Sequence, residues 1–354
     1  MKKFTFDYLS PRVVFGPGSV SALPDEIERL GSRRLLVLST PEQVELAENI
    51  VDPLGDKVAG FFDGAKMHVP VEVIQKAKQA FANADADSII AIGGGSTTGL
   101  AKALSMSLGA PSVVIPTTYA GSEMTTIWGI TQDGIKKTGR DAKVLPKTVI
   151  YDSLLTVSLP LAITVTSALN AVAHAMEGLY STELNPVIES MCKQGICALF
   201  DAIPRLVQRP ADVDARTDAL FGAWMCGTVL CHLGMGLHHK LCHTLGGTLN
   251  LPHAETHAVV LAHALAYNLP YAAPTKRLLE EILGTDDVPG AVYELAKNAG
   301  APLSLAEIGM RTEDIAQVRD LALRDQYPNP RPLEADGLEA LLNNAFHGRR
   351  PAYH

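Results

Sequence analysis

The first 157 residues alternate strand-like runs with helical patterns, and this alternation constrains the fold more than any other feature of the chain. β-branched runs typical of buried strands occur at 33–40, 87–95, 111–118 and 147–152, and helical spacing of apolar residues occurs at 71–85 and 97–109. Strands that alternate with helices are typical of a parallel sheet with helices on both faces. We therefore predict an α/β, Rossmann-like domain over residues 1–157.

The pattern changes beyond that point. Segments rich in Ala, Leu and Met follow at 162–181, 187–207, 212–231 and 256–267, and Gly or Pro separates them. Such segments are typical of helices with clear start and stop signals. We predict an all-helical domain over residues 158–354. Because 354 residues exceed what one core usually holds, two domains that share a cleft are expected.

Charge and composition exclude several classes of function. The formal net charge is −8, which disfavours a general binder of nucleic acid or of membrane surfaces. The N-terminal segment lacks the apolar region of a signal peptide, and no stretch reaches the length of a membrane span. The cysteines number five, and we interpret them as free thiols in a reducing compartment. A cytoplasmic protein is expected.

A glycine-rich turn follows one of the predicted strands. It consists of Gly93, Gly94, Gly95 and Ser96. Glycine lets backbone N–H groups approach a phosphate closely, and the start of the following helix adds partial positive charge. A tight strand-to-helix turn is the alternative reading. The position at the carboxyl end of a strand favours phosphate binding.

The next predicted strands supply hydroxyl groups at the same edge of the sheet. Thr117 and Thr118 follow the strand after the glycine turn, and with that turn they would form a polar shelf for a dinucleotide. Ser39 and Thr40 follow an earlier strand, where a carboxylate often binds the adenosine ribose. The first carboxylate here is Glu42. We therefore predict that either NADH or NADPH can bind.

Histidines are concentrated in the second half of the chain. Residues 236–257 hold five of the eleven histidines of the protein. His239 and His243 are four residues apart, as are Asn170 and His174, so each pair shares a helix face. His253 follows a proline. A single buried histidine is usually structural, but so many imidazoles are costly to bury without a function.

These motifs resemble the iron-containing (group III) alcohol dehydrogenase superfamily over essentially the full chain. The matching positions are Gly93–Ser96, Asn170/His174, His239/His243 and His253. The resemblance implies the dehydroquinate synthase-like fold of that family and a homodimer. It places metal ligands at the positions of Asn170, His174, His239 and His253, puts His243 near the nicotinamide, and puts Lys143 near the cofactor.

Two positions depart from the family pattern. Asn170 replaces the acidic metal ligand, and Gly99 stands where alcohol dehydrogenases of the family have Asp. Three imidazoles and one neutral amide bind a divalent ion weakly, so no metal is expected. In these two positions the chain resembles the branch of the family that reduces the carbon–carbon double bond of maleylacetate, a dicarboxylate of aromatic-ring degradation. It also resembles that branch in the segments "HHKLCH", "LPHAETHA" and "NPRPL".

That branch implies roles for the cluster. We predict His243 as the first choice of proton donor, with His174, His239 and His253 holding the enolate oxygen or a carboxylate. Asn170, Lys240 and Tyr327 are candidate substrate-binding residues. Two alternatives stay open: a metal-dependent alcohol dehydrogenase of the same fold, and a non-redox lyase similar to dehydroquinate synthase.

Overall fold

The structure is a computed structural model that describes residues 3–133, 135–324 and 327–353. The chain forms two compact units. One comprises Asp7–Leu159, and the other comprises Met1–Phe6 together with Pro160–His354. We refer to them as the α/β unit and the helical unit.

The α/β unit contains a parallel sheet of six strands and a separate two-stranded hairpin. Its strands are β1 Arg12–Phe15, β2 Leu35–Leu38, β3 Val58–Phe62, β4 Ser88–Gly93, β5 Ser112–Pro116, β6 Ile127–Gln132, β7 Ile135–Arg140 and β8 Thr148–Tyr151. Its helices are α1 Leu23–Leu30, α2 Val44–Val51, α3 Val71–Asn83 and α4 Gly95–Leu108. The predicted α/β class is confirmed.

The sheet order places the predicted cofactor strands side by side. The order is β1-β8-β5-β4-β2-β3, and every pairing in it is parallel. In this order β4 lies between β5 and β2, and Gly93 is in register with Pro116. The turns that follow these three strands therefore lie at one edge of the sheet.

The four inner strands of the sheet, β2, β4, β5 and β8, are buried on both faces and carry mostly apolar residues without alternation. Leu36 and Leu38 of β2 pack in a cluster that includes residues of α3 and α4. Leu35 and Val37 of the same strand face the opposite cluster, to which α1 and α2 contribute. This arrangement is what a doubly covered parallel sheet requires.

The helical unit contains no strand among the residues that the structure describes. Its helices are α5 Leu161–Gly178, α6 Pro186–Gln208, α7 Val213–His232, α8 Leu237–Leu249, α9 His253–Asn268, α10 Ala273–Leu283, α11 Val288–Asn298, α12 Asp314–Arg324 and α13 Ala335–Phe346. A large apolar cluster joins α8, α9, α12 and α13. The N-terminal segment also belongs to this unit, where the ring of Phe6 lies 5.1 Å from that of His232.

No single helix in the described part of the chain is long and apolar enough to span a membrane. The pair α7 and α8 reaches the required length and hydropathy only when both helices are counted together, and they are bent by 94° at the break.

A buried lysine connects the helix that follows the glycine turn to the segment before the hairpin. The side chain of Lys102, on α4, is 1% exposed. Its ammonium group donates to the carbonyl oxygen of Ser122, to Thr125 Oγ1 at 2.8 Å and to the carbonyl oxygen of Ile127 at 2.8 Å. A buried charge is tolerated only when hydrogen bonds of this kind replace its hydration.

We predict that Lys102→Met destabilises the α/β unit by roughly 2–4 kcal/mol, because one buried and two part-buried acceptors lose their donor. Urea unfolding followed by circular dichroism measures this loss. Lys76→Met, at an exposed position of α3, is the control and should change the free energy of unfolding by less than about 0.5 kcal/mol. Equal stabilities of the two variants would contradict the role given to Lys102.

Candidate active site

The glycine turn has a backbone that a ligand can approach closely. Gly93 ends β4 with φ of 148°, a conformation that favours glycine, and a Cβ there would come within 2.5 Å of Thr97 Oγ1. A Cβ on Gly94 would come within 2.9 Å of Thr118 Cγ2. At Gly95, the first residue of α4, a Cβ would meet no atom within 4 Å. The helix therefore begins beside open space, with half-buried Ser96 in its first turn.

The predicted threonine shelf lies against this turn. The backbone N–H of Thr117 donates to the carbonyl oxygen of Gly93 at 3.1 Å, and its hydroxyl accepts from Gln43 Nε2 at 2.9 Å. Thr97 Oγ1, in the first turn of α4, is buried and has no hydrogen-bond partner among the described residues. The arrangement offers hydroxyls and helix-start amides to a phosphate.

The turn after β2 brings the carboxylate of Glu42 beside Thr40. Ser39 is buried, and its N–H donates to the carbonyl oxygen of Phe62. Glu42 is exposed, and hydrogen bonds from its own backbone N–H and from the hydroxyl of Thr40 lower the pKa of its carboxyl group. A carboxylate is thus held beside Thr40 although it comes two residues later in the chain.

Two further positions of this unit bear on the cofactor and family motifs. Lys143 is exposed, in a short 3-10 turn at Ala142–Val144 that contacts α4. Gly99 faces Val69, and a Cβ on Gly99 would come within 2.8 Å of Val69 Cγ2. A larger side chain at position 99, such as the family aspartate, would require Val69 to move.

In the helical unit, three helices bring the predicted cluster together. Asn170 and His174 lie on α5, His239 and His243 on α8, and His253 at the start of α9. The ring centroids of His174 and His239 are 5.1 Å apart, and those of His239 and His243 are 6.2 Å apart. Asn170, His174 and His239 are buried, whereas His253 is half-buried and His243 is exposed.

Several buried polar atoms of the cluster lack a hydrogen-bond partner within the described ranges. They are Asn170 Oδ1, His174 Nδ1, His239 Nε2 and His257 Nε2. Buried polar atoms are nearly always hydrogen-bonded, so a concentration of unsatisfied ones indicates that a bound molecule or ordered water completes them. Helices α5, α8 and α9 each contribute at least one such atom.

Glu177, which no sequence motif indicated, contacts two histidines of α8 in this cluster. It lies on α5, seven residues after Asn170 and three after His174, and is 1% exposed. Its carboxylate accepts hydrogen bonds from the backbone N–H groups of His238 at 2.8 Å and His239 at 3.2 Å, and from the His239 ring at Nδ1. Glu177 lies one helical turn beyond His174, and that spacing was the available signal.

A second pair of histidines was also missed. His238 Nε2 and His257 Nδ1 share a hydrogen bond of 2.9 Å, and both side chains are fully buried. Burial, followed by the neighbouring imidazoles, lowers the pKa of His174, His238 and His257 well below the usual range. These three rings are therefore neutral near pH 7. The four-residue spacing of His253 and His257 was the available signal.

The two remaining substrate-binding candidates lie near each other. The ammonium nitrogen of Lys240 is 5.8 Å from the ring centroid of Tyr327. The Tyr327 hydroxyl is buried without a partner among the described residues, and burial, followed by the charge of Glu177, raises the pKa of this phenol. Tyr327 thus stays protonated and can donate a hydrogen bond.

None of the residues at the family's metal-ligand positions, Asn170, His174, His239 and His253, is a carboxylate. Asn170 contributes a neutral oxygen, and the nearby carboxylate of Glu177 is occupied by the hydrogen bonds described above. In the described part of the chain, three His, Cys or carboxylate ligand atoms come within 4.8 Å of one another only at His238, Cys242 and His257. His238 and His257 there are already hydrogen-bonded to each other.

Two family models and several named relatives match the chain. The family model described as "Iron-containing alcohol dehydrogenase" matches residues 10–153, and "Fe-containing alcohol dehydrogenase family, C-terminal" matches residues 164–346. The chain is 80% identical over 353 residues to "Maleylacetate reductase 1" of Cupriavidus pinatubonensis, with 100% of each chain covered. It is 56% identical over 349 residues to a maleylacetate reductase of Pseudomonas knackmussii, with 99% of each chain covered.

A solved structure shows the same fold. The crystal structure of maleylacetate reductase from Agrobacterium tumefaciens is 47% identical and superposes with a TM-score of 0.95, covering 99% of this chain and 100% of the other. The two family models together cover most of the sequence. The chain belongs to the iron-containing alcohol dehydrogenase family.

Proposed function

We propose that this protein reduces the carbon–carbon double bond of maleylacetate to give 3-oxoadipate, with NADH or NADPH as the reductant. Near-full-length relatives that carry the name maleylacetate reductase support this activity. The observation that carries the proposal is the buried cluster of imidazole and amide atoms with Asn170 at the acidic ligand position. Such a site suits an oxygen-rich anion better than a metal-bound alcohol.

The α/β unit supports the cofactor part of the proposal. The family uses NAD(P) and often a metal. Gly93–Ser96, Thr117 and Thr118 would hold the phosphates, with the open space at Gly95 leaving room for them. Ser39 and Thr40 would lie near the adenosine ribose, and Lys143 near the cofactor. When bound, the reduced nicotinamide supplies a hydride.

The substrate determines what the cluster must do. The hydride adds to the alkene carbon that is β to the ketone, the C=C π electrons move toward the carbonyl, and an enolate forms. A proton added to the neighbouring carbon completes the product. The chain must therefore stabilise the developing negative charge with hydrogen bonds and deliver one proton for each hydride.

The four histidines differ in exposure, and this difference divides their roles. A proton donor has to recover its proton after each turnover, so contact with water is an advantage. His243 is exposed, which supports it as the donor. Buried His174 and His239, with half-buried His253, would hold the enolate oxygen or a carboxylate.

Other groups of the helical unit suit the two carboxylates of the substrate. Lys240 and Tyr327 lie close together and offer an ammonium group and a protonated phenol. Asn170 has a side-chain amide whose nitrogen can donate. Local donors of this kind are needed in a protein with a net charge of −8.

We also propose that the enzyme acts in the cytoplasm as a homodimer. The resemblance to the family supports the dimer, and the need for a continuous supply of reduced nicotinamide supports the location.

The first test follows nicotinamide absorbance with maleylacetate. We expect turnover of maleylacetate with both NADH and NADPH, and little turnover of simple alcohols with NAD⁺ or NADP⁺. An alcohol dehydrogenase would show the reverse, and a lyase would show no net change in absorbance.

Glu42→Gln removes the charge beside Thr40, so the ratio of kcat/KM for NADPH to that for NADH should rise about two- to fivefold. An unchanged ratio would place Glu42 away from the ribose.

The second test concerns metal. We expect the purified protein to carry far less than one metal ion per chain and to keep its activity in a chelator, because Asn170 gives no anionic ligand. Elemental analysis and assays after chelation measure this. Asn170→Asp should raise affinity for Zn²⁺ or Fe²⁺. Stoichiometric metal whose removal abolishes turnover would overturn the metal-free proposal.

The third test separates proton donation from substrate binding. His243→Ala should lower kcat about 10²–10⁴-fold, as expected for loss of a positioned acid, and should raise KM for maleylacetate much less. His239→Ala and His253→Ala should mainly raise that KM. If folded His243→Ala protein turns over within about threefold of the parent, another group is the donor.

A further inference from the structure

The side chain of Gln43 crosses the carboxyl edge of the parallel sheet. Gln43 ends the short 3-10 turn Pro41–Gln43 after β2, and it occupies the N-cap position of α2 without making a cap hydrogen bond. Its amide instead reaches the turn that follows β5, where Nε2 donates to Thr117 Oγ1 at 2.9 Å. Because β4 lies between β2 and β5 in the sheet, the side chain has to pass the end of β4.

Gly93, the last residue of β4, leaves the space for this crossing. A Cβ on Gly93 would come within 2.9 Å of Gln43 Oε1, which is closer than real Cβ contacts allow. The missing side chain at position 93 thus brings the amide oxygen of Gln43 against the first residue of the glycine turn. That turn is the one that would hold the phosphates of the cofactor.

The amide of Gln43 has hydrogen-bonding capacity that the protein does not use. A glutamine side chain carries two N–H donors and an oxygen that accepts. Within the described ranges, Nε2 donates to Thr117 and Oε1 accepts no hydrogen bond. Gln43 is half-buried, so its side chain remains accessible to a ligand. The contact with Thr117 holds the nitrogen in place, and the atom left open beside Gly93 is therefore an acceptor.

An acceptor at this position selects a particular part of the cofactor. The diphosphate offers only acceptor oxygens, whereas the hydroxyl groups of a ribose can donate. In Rossmann-like sites a carboxylate after an early strand often binds the adenosine ribose. Here Ser39 is 1% exposed, and the carboxylate of Glu42 accepts from the hydroxyl of Thr40 and from its own backbone N–H. Gln43 offers an accessible oxygen without a charge.

We propose that Gln43 is a cofactor-binding residue that helps to set cofactor specificity: its Oε1 accepts a hydrogen bond from a hydroxyl group of the adenosine ribose. As a neutral acceptor it binds the ribose of NADH and does not repel the 2′-phosphate of NADPH. Thr117 orients the amide through its contact with Nε2. This inference rests on the cofactor part of the proposed function and adds a residue to it.

The first experiment measures the binding of ADP and of 2′,3′-dideoxy-ADP by titration calorimetry, so it does not depend on turnover. In the parent, loss of the ribose hydroxyls should weaken binding about three- to tenfold, as expected for the loss of a hydrogen bond. In Gln43→Leu this penalty should fall below about twofold, because the acceptor is gone. Gln75→Leu, at an exposed position of α3, is the control and should keep the penalty of the parent.

Two results of this experiment would overturn the proposal. One is a parent that binds both nucleotides equally well. The other is an equal penalty in the parent and in Gln43→Leu, which would mean that another group accepts from the ribose. Thermal melting followed by circular dichroism shows whether each variant is folded. If Gln43→Leu is not, Gln43→Ala replaces it in every comparison.

The second experiment tests the specificity part by introducing a charge. Gln43→Glu keeps an acceptor but makes it negative, so it should repel the 2′-phosphate of NADPH. The ratio of Kd for NADPH to Kd for NADH, measured by nicotinamide fluorescence, should therefore rise about tenfold. A ratio within twofold of the parent would place the side chain away from the ribose and contradict the proposal.

These outcomes are separate from those of the proposed function. Both experiments use nucleotides alone, so a parent that binds them as described but does not reduce maleylacetate removes only the proposed reaction. An active parent whose Gln43→Leu variant keeps the full penalty for the missing hydroxyls removes only the role of Gln43.

Discussion

The buried carboxylate of Glu177 is the interaction on which the arrangement of the helical unit depends. A carboxylate that is 1% exposed is stable only if donors replace its hydration. Here the donors are two N–H groups at the positive end of α8, the phenol of Tyr180 and the ring of His239. The need of this one carboxylate for hydrogen-bond donors therefore fixes how α5 packs against α8.

The network extends beyond these two helices. Asn329 Oδ1 accepts from the Leu237 N–H and also from Asn268 Nδ2 at 2.9 Å, and Asn268 Nδ2 lies 3.3 Å from the Tyr180 hydroxyl. Helix α9 and the loop around residue 329 are thereby joined to the same group of hydrogen bonds. Hydrogen-bond networks that join several elements in this way favour one geometry over others, which is what a preorganised site needs.

The sequence predicted four of the six strands of the sheet but not the hairpin. Apolar runs predicted β2, β4, β5 and β8 because strands buried on both faces leave a continuous apolar signal. The hairpin β6 and β7 was missed because its described side chains are half-buried or exposed, and the glycines and lysines of "IWGITQDGIKKTGR" carry no strand pattern. A short hairpin depends on cross-strand pairing, which one-dimensional spacing does not reveal.

The difference between local spacing and tertiary contacts also explains which site residues the sequence predicted. Spacing along a helix grouped Asn170 with His174, and His239 with His243, but did not show which rings are buried. The contact of Glu177 with His239 joins residues 62 positions apart and depends on how two helices pack. Likewise the spacing of His253 and His257 could indicate that His257 belongs to the cluster, but not that it bonds His238, 19 positions away.

The place of the N-terminal segment has a consequence for biosynthesis. Because Met1–Phe6 belongs to the helical unit, the α/β unit is one continuous insertion, Asp7–Leu159, within a discontinuous partner. Its last strand, β8, pairs with its first, β1, so the ribosome can release a complete sheet before any of α5 has emerged. The helical unit, in contrast, can complete its contact between Phe6 and His232 only after more than two hundred residues have been added. Phe6 thus reaches its final neighbour long after it has been synthesised.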